Sequence, residues 1–167
     1  WLWKILMPDY SPVSFSEVWE KTLKNHANDI FLVFENLEGV TVQWTYKDFN
    51  KEVSKIAGLL LQHGVESGDS VHLALSNCPV FIAVWLAAIR LGAWIVPSDP
   101  MGGSEDLSSH IERTNPKVGF CAKTRSEVYK EGDIKAPLQI NQFIEGRSLM
   151  FLIRFKSNEV LTMGSMN

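Results

Sequence analysis

The sequence predicts an α/β fold in which a mostly parallel sheet is flanked by helices. From Thr45 to Ala122, segments with helical spacing alternate with strand-like runs and the links are short. That pattern places consecutive strands parallel, with a helix crossing between them. Capping residues and glycines sit where these helices should start and stop. Composition agrees: 46% of the 167 residues are hydrophobic and 21% charged, which suits one domain with a real core rather than a disordered chain.

The elements follow in order. Ser14 to Asn28 reads as a helix, with Ser14 and Glu17 as a capping box and Phe15, Val18, Trp19 and Leu23 on one face. Ile30-Phe31-Leu32-Val33-Phe34 is a strand-length apolar run. Glu38-Gly39 turns the chain into the alternating Val40 to Trp44, so the two runs predict a hairpin. Thr45 caps the next helix, with Asp48 three residues on. Phe49, Val53, Ile56, Ala57, Leu60 and Leu61 face inward, while Lys47, Asn50, Lys51, Ser54, Lys55 and Gln62 face solvent. Gly64 stops it, and Val71 to Leu75 is a strand. Pro79 opens a helix that is apolar nearly all round and ends at Gly92. The short buried strand Ala93 to Val96 then runs into Pro97. Ser104 caps a helix through Arg113, with Leu107 and Ile111 inward, and Val118 to Ala122 is again strand-like. After Lys123 no clean period emerges, and the chain from Gly132 onward is expected to be loosely ordered.

The residues exclude more functions than they assign. Sixteen Lys and Arg against nineteen Asp and Glu, with no basic block, argue against a nucleic-acid partner. Cys78 and Cys121 build no disulfide framework and no zinc motif. The apolar stretch from Pro79 to Pro97 carries Arg90 and Gly92 and is short for a membrane span, so a buried helix and strand explain it better. His26, His63, His72 and His110 have no acid or nucleophile at a recognisable spacing. Gly102-Gly103 before a helix is an anion-site pattern that more often is a plain turn. There is no Gly-x-Gly-x-x-Gly run and no Walker loop.

Four stretches, in order, resemble the adenylate-forming superfamily of acyl-CoA synthetases, luciferases and peptide-synthetase adenylation domains. They are Trp44-Thr45-Tyr46-Lys47-Asp48-Phe49, Gly64 to Val71 with its Gly68-Asp69 pair, Ser76-Asn77-Cys78-Pro79-Val80-Phe81, and Ile89-Arg90-Leu91-Gly92-Ala93-Trp94-Ile95-Val96-Pro97. The likeness covers about Phe15 to Ala122. The context of Asn77-Cys78-Pro79 and Trp85 looks most like small-acid ligases, carnitine-type ones included. All four stretches are scaffold: they cap helices and end strands.

The resemblance implies a reaction in which a carboxylic acid is joined to AMP from ATP and then passed to CoA, with Mg²⁺ assisting. It also implies where that chemistry lies: a Ser/Thr/Gly-rich phosphate loop ending in Pro-Lys-Gly, an aromatic-Thr-Glu stretch, a ribose-binding Asp and a Lys on a small C-terminal domain. None is intact here, and Pro116-Lys117 is followed by Val118. Thr162, Gly164 and Ser165 match a degenerate start of the phosphate loop, with Met163 and Met166 where hydroxyls would serve phosphate. Arg125 follows a strand in a region where relatives contact the CoA nucleotide, which would make it a CoA-phosphate contact; a plain solvated charge is the alternative reading. No catalytic or metal-ligating residue is assigned. The expected organisation is an N-terminal subdomain of the large domain over residues 1–131 and a poorly defined tail over 132–167, with Trp1 and Asn167 as cut ends. Such a piece is expected to be inactive alone and to bind ATP, Mg²⁺ and CoA weakly. Uncovered apolar surface is expected to promote self-association. The location implied is intracellular, cytoplasmic or organellar rather than secreted. The alternative is a non-catalytic α/β module that pairs with a full-length relative.

Overall fold

A computed structural model of the chain describes residues 13–35, 39, 41–135 and 143–145. Helix α1 (Phe15–His26) starts as its sequence dictates. The Ser14 hydroxyl accepts the Glu17 N–H at 3.2 Å, and the Glu17 carboxylate accepts the Ser14 N–H at 2.9 Å. Strands β1 (Ile30–Glu35) and β2 (Thr41–Thr45) form the expected antiparallel hairpin. Helix α2 (Tyr46–Gln62) is capped by Thr45, whose oxygen accepts the Asp48 N–H at 3.1 Å and whose hydroxyl donates to the Asp48 carboxylate at 3.0 Å. Gly64 then takes φ +73°, a left-handed turn that a side chain resists.

Next come β3 (Ser70–Ala74), α3 (Pro79–Leu91), β4 (Trp94–Pro97), α4 (Ser104–Thr114) and β5 (Val118–Cys121). A 3₁₀ turn (Lys123–Arg125), α5 (Ser126–Lys135) and β6 (Phe143–Glu145) follow. The second sheet runs β4-β3-β5-β6, and all its pairings are parallel. The α/β class and the parallel sheet are therefore as the alternation required.

Because successive residues of a strand point to opposite faces, the sheet carries two cores. Val71, Leu73, Val118 and Phe120 point to one, where Phe49, Val53, Ile56 and Leu60 of α2 meet Val80, Ala83, Val84 and Ala87 of α3. Ala74 and Cys121 point to the other, a smaller cluster with Leu107 and Ile111 of α4 and Tyr129 of α5. Among the described residues, no helix is long and apolar enough to cross a membrane.

Several details differ from the sequence expectation. Leu61 is 57% exposed, because it lies roughly 120° round α2 from Phe49, whereas Leu60 lies almost beneath it. Asn50 does not face solvent. Its side-chain oxygen accepts the Trp19 indole N–H at 2.9 Å and an Arg90 N–H at 2.5 Å, which fastens α1 and α3 to α2. Among the described residues, strand β4 is the sheet edge rather than a buried strand, and Trp94 is 70% exposed there; Trp85 on α3 is also exposed. Helix α4 is entered one residue early: Gly103 is the cap, and its N–H is taken by the Asp106 carboxylate at 3.2 Å. The chain does not loosen at Gly132, since α5 runs on to Lys135. A Cβ at Gly132 would lie 2.7 Å from the Leu107 Cβ, so glycine there lets α5 press against α4.

Gly119 makes a similar allowance for Tyr129. A Cβ at that position would lie 1.8 Å from the Tyr129 hydroxyl oxygen. Gly119→Ala should therefore cost about 1–3 kcal/mol by overpacking. The measurement is the urea midpoint. The double variant Gly119→Ala/Tyr129→Phe should recover part of the loss, and an unchanged midpoint for the single variant would contradict this packing.

Candidate functional site

In an open parallel sheet the useful crevice lies beyond the carboxyl ends of the strands, where the direction of strand addition reverses. Here the chain goes from β3 out to β4, then back across β3 to β5, so the reversal falls between β3 and β5. At that end the Ser98 N–H donates to the Leu73 carbonyl at 3.0 Å and carries the chain off β4. A cavity of about 300 Å³ opens there, lined by Ser98, Asp99, Gly102, Asp106, Leu107 and His110.

The loop above the cavity is organised by its own polar groups. The Asp99 carboxylate accepts the Met101 N–H at 2.8 Å, and the Asp99 carbonyl accepts the Gly102 N–H at 3.1 Å. The Gly102-Gly103 pattern is thus engaged inside the protein, as a turn and a helix entry. Behind His110, which lines the cavity, lies a buried polar cluster. His72 on β3 is fully buried, with Nδ1 2.8 Å from the Tyr129 hydroxyl, and its ring stands edge-on to that of His110 at 6.1 Å between centroids. Three buried polar atoms have no hydrogen-bond partner among the described residues: His72 Nε2, Ser98 Oγ and His110 Nδ1. Buried polar atoms in native proteins are nearly always partnered, so these point to water or a polar ligand.

Of the residues singled out in the sequence, Arg125 is described and borders this site. Its Nε–H donates to the Pro100 carbonyl at 3.2 Å and an Nη2–H to the Gly102 carbonyl at 2.6 Å. Thr162, Gly164 and Ser165 lie outside the described residues. The cavity wall itself holds Asp99 and Asp106 and no Lys or Arg, so it does not fit a triphosphate. Among the described residues no group of three or more His, Cys, Asp or Glu is placed to hold a metal ion. Sequence reasoning did not bring His72, His110, Ser98 and Tyr129 together. His72 and His110 are far apart along the chain, and Tyr129 sits in a helix without a clear period.

A family model and curated relatives match the sequence, and solved structures match the fold. The family model described as AMP-binding enzyme matches residues 19–156. A crotonobetaine/carnitine–CoA ligase of Citrobacter koseri is 37% identical over 81 residues, covering 48% of this chain and 16% of the relative. Its counterpart in Salmonella paratyphi A is 35% identical over 81 residues, again 48% and 16%. The chain thus spans well under a fifth of these relatives' length. Among solved structures, the N-terminal domain of FACL13 from Mycobacterium tuberculosis superposes with a TM-score of 0.74 at 19% identity, covering 92% of this chain and 39% of that one. The anthranilate CoA ligase AuaEII, solved with anthranoyl-AMP, gives a TM-score of 0.69 at 15% identity, covering 84% and 26%.

The buried imidazole sets an acid limit on the fold. Burial first, and the neighbouring His110 second, lower the pKa of His72 from 6.5 to about 4. The unfolded chain takes up a proton below pH 6.5 that the folded chain refuses until about pH 4. The contribution is therefore nil above pH 6.5, and stability falls through that window, by on the order of 3 kcal/mol in all. Urea midpoints at pH 7 and pH 5 should separate more for the wild type than for His72→Gln. Equal separations would show that His72 does not carry the effect.

Proposed function

The chain belongs to the AMP-binding enzyme family, and from that premise we propose that it is the N-terminal scaffold of an acid–CoA ligase. In the complete enzyme a carboxylate would attack the α-phosphate of ATP, releasing pyrophosphate. The acyl-adenylate would then pass its acyl group to the CoA thiol. The observation that carries the reading is the family match over residues 19–156, joined to relatives named as crotonobetaine/carnitine–CoA ligases. For the acid we favour a small carboxylic acid of the carnitine type. Family membership implies ATP, Mg²⁺ and CoA as the co-reactants, but the described residues supply no step of the adenylation.

What these residues do is hold a frame. The capped helices and the parallel sheet bring the ends of β3, β4 and β5 to one rim, and Arg125 stands beside it. A guanidinium can serve phosphate groups as a two-pronged donor, so we assign Arg125 to the CoA phosphates in the complete enzyme. The degenerate Thr162-Met163-Gly164-Ser165 stretch is assigned to the approach to the phosphate loop. Met163 within it and Met166 just after it leave the segment short of hydroxyl donors.

ATP–pyrophosphate exchange tests this reading in two arms. The 167-residue chain alone should show no exchange above a no-protein control with carnitine, crotonobetaine, short-chain or aromatic acids. Acid-dependent exchange would overturn the scaffold assignment. The second arm places this chain's matching 81 residues in the Citrobacter koseri relative. That chimera should retain exchange with carnitine-type acids, and a folded but inactive chimera would count against the ligase reading.

A further inference from the structure

We infer that Arg125 is the latch of the strand-end cavity: its side chain ties the 99–103 turn down over Ser98 and His110, and releasing it opens the cavity. The turn is braced internally, because Asp99 holds both the Met101 and the Gly102 N–H groups within it. Its tip is unsupported, with Met101 71% exposed. Two bonds that reach it from beyond the cavity come from a single side chain, Arg125 Nε to the Pro100 carbonyl and Nη2 to the Gly102 carbonyl. Arg125 itself is firmly placed, on the 3₁₀ turn that follows β5, with its own N–H on the Ala122 carbonyl at 2.9 Å. Under the turn lie the unpartnered Ser98 Oγ and His110 Nδ1, atoms that a polar molecule would satisfy once admitted.

The latch also couples the cavity to anions. A guanidinium bound to two neutral carbonyls exchanges them readily for phosphate oxygens, which are the stronger acceptors. A phosphate that takes the Nε–H and Nη2–H edge of Arg125 frees Pro100 and Gly102, so anion capture at that edge and cavity closure compete. This second half rests on the assignment of Arg125 to CoA phosphates; the latch itself does not.

A thiol at the cavity wall reads both halves. In a Ser98→Cys chain the new thiol replaces a buried hydroxyl, while the native Cys78 and Cys121 are buried in the cores. Its labelling by a disulfide reagent should be slow. Adding Arg125→Ala, which removes two charge-assisted bonds, should speed labelling about tenfold, and Arg125→Lys, without the fork, should fall between. Unchanged labelling in the Arg125→Ala background would overturn the latch. So would labelling of Cys78 and Cys121 in step with Cys at 98, which would mean general loosening. Inorganic pyrophosphate added to the chain with Arg125 intact should likewise speed labelling. If Arg125→Ala accelerates labelling and pyrophosphate does not, the latch stands and the phosphate assignment falls.

Discussion

Strand β3 has to be buried on both faces and along both edges, and most of the architecture answers that demand. Val71, His72, Leu73, Ala74 and the following Leu75 are all buried, with β4 hydrogen-bonded on one side and β5 on the other. A central parallel strand can be enclosed this way only if helices cover both faces of the sheet. The connections supply them, α2 and α3 on one face and α4 and α5 on the other. The two faces are not equal. One carries the larger apolar cluster. The other is small, and it admits a histidine at the point where a leucine or valine would be expected. Tyr129 makes that exception tolerable by meeting His72 Nδ1, and Gly119 makes room for Tyr129.

Polar side chains hold the layers in register at two further places. Asn50 receives the indole of Trp19 and the guanidinium of Arg90, so one amide oxygen joins three helices at a half-buried seam. Arg125 does the corresponding work at the strand ends, where loops rather than helices have to be held. In both cases an apolar contact would give adhesion without fixing an angle, whereas directed hydrogen bonds fix position. The turn that Arg125 holds borders the cavity at the strand ends.

Much of the fold was legible in the sequence because its signals are local. Ser14 with Glu17, Thr45 with Asp48, and Pro79 at a helix start each act within a few residues, and each does in the structure what its chemistry predicts. The misjudged positions have non-local reasons. Asn50 looked like a surface residue because nothing nearby in sequence reveals that Trp19 and Arg90 converge on it. Trp94 looked buried because a run of apolar residues does not tell an edge strand from a central one. Helix α5 was hidden because its residues show no clean apolar period, and Gly132 within it serves close helix packing. The candidate site was the least legible part. His72, His110 and Tyr129 come from one strand and two helices, and only the crossover back over β3 brings them to one face of the sheet.

The strand order also sets a timetable for a chain made from its N-terminus. Val71 finds Ile95 early, as soon as α3 has been synthesised, while its partner on the other edge, Val118, comes almost twice as far along the chain. The β3–α3–β4 unit can thus assemble while the second edge of β3 is still bare. During that interval His72 lacks Tyr129, and an unpaired apolar strand edge faces the solvent. Speed of translation between Trp94 and Tyr129 therefore bears on yield: a pause there prolongs the exposure of that edge, and a chaperone that binds extended apolar segments would find its substrate in β3.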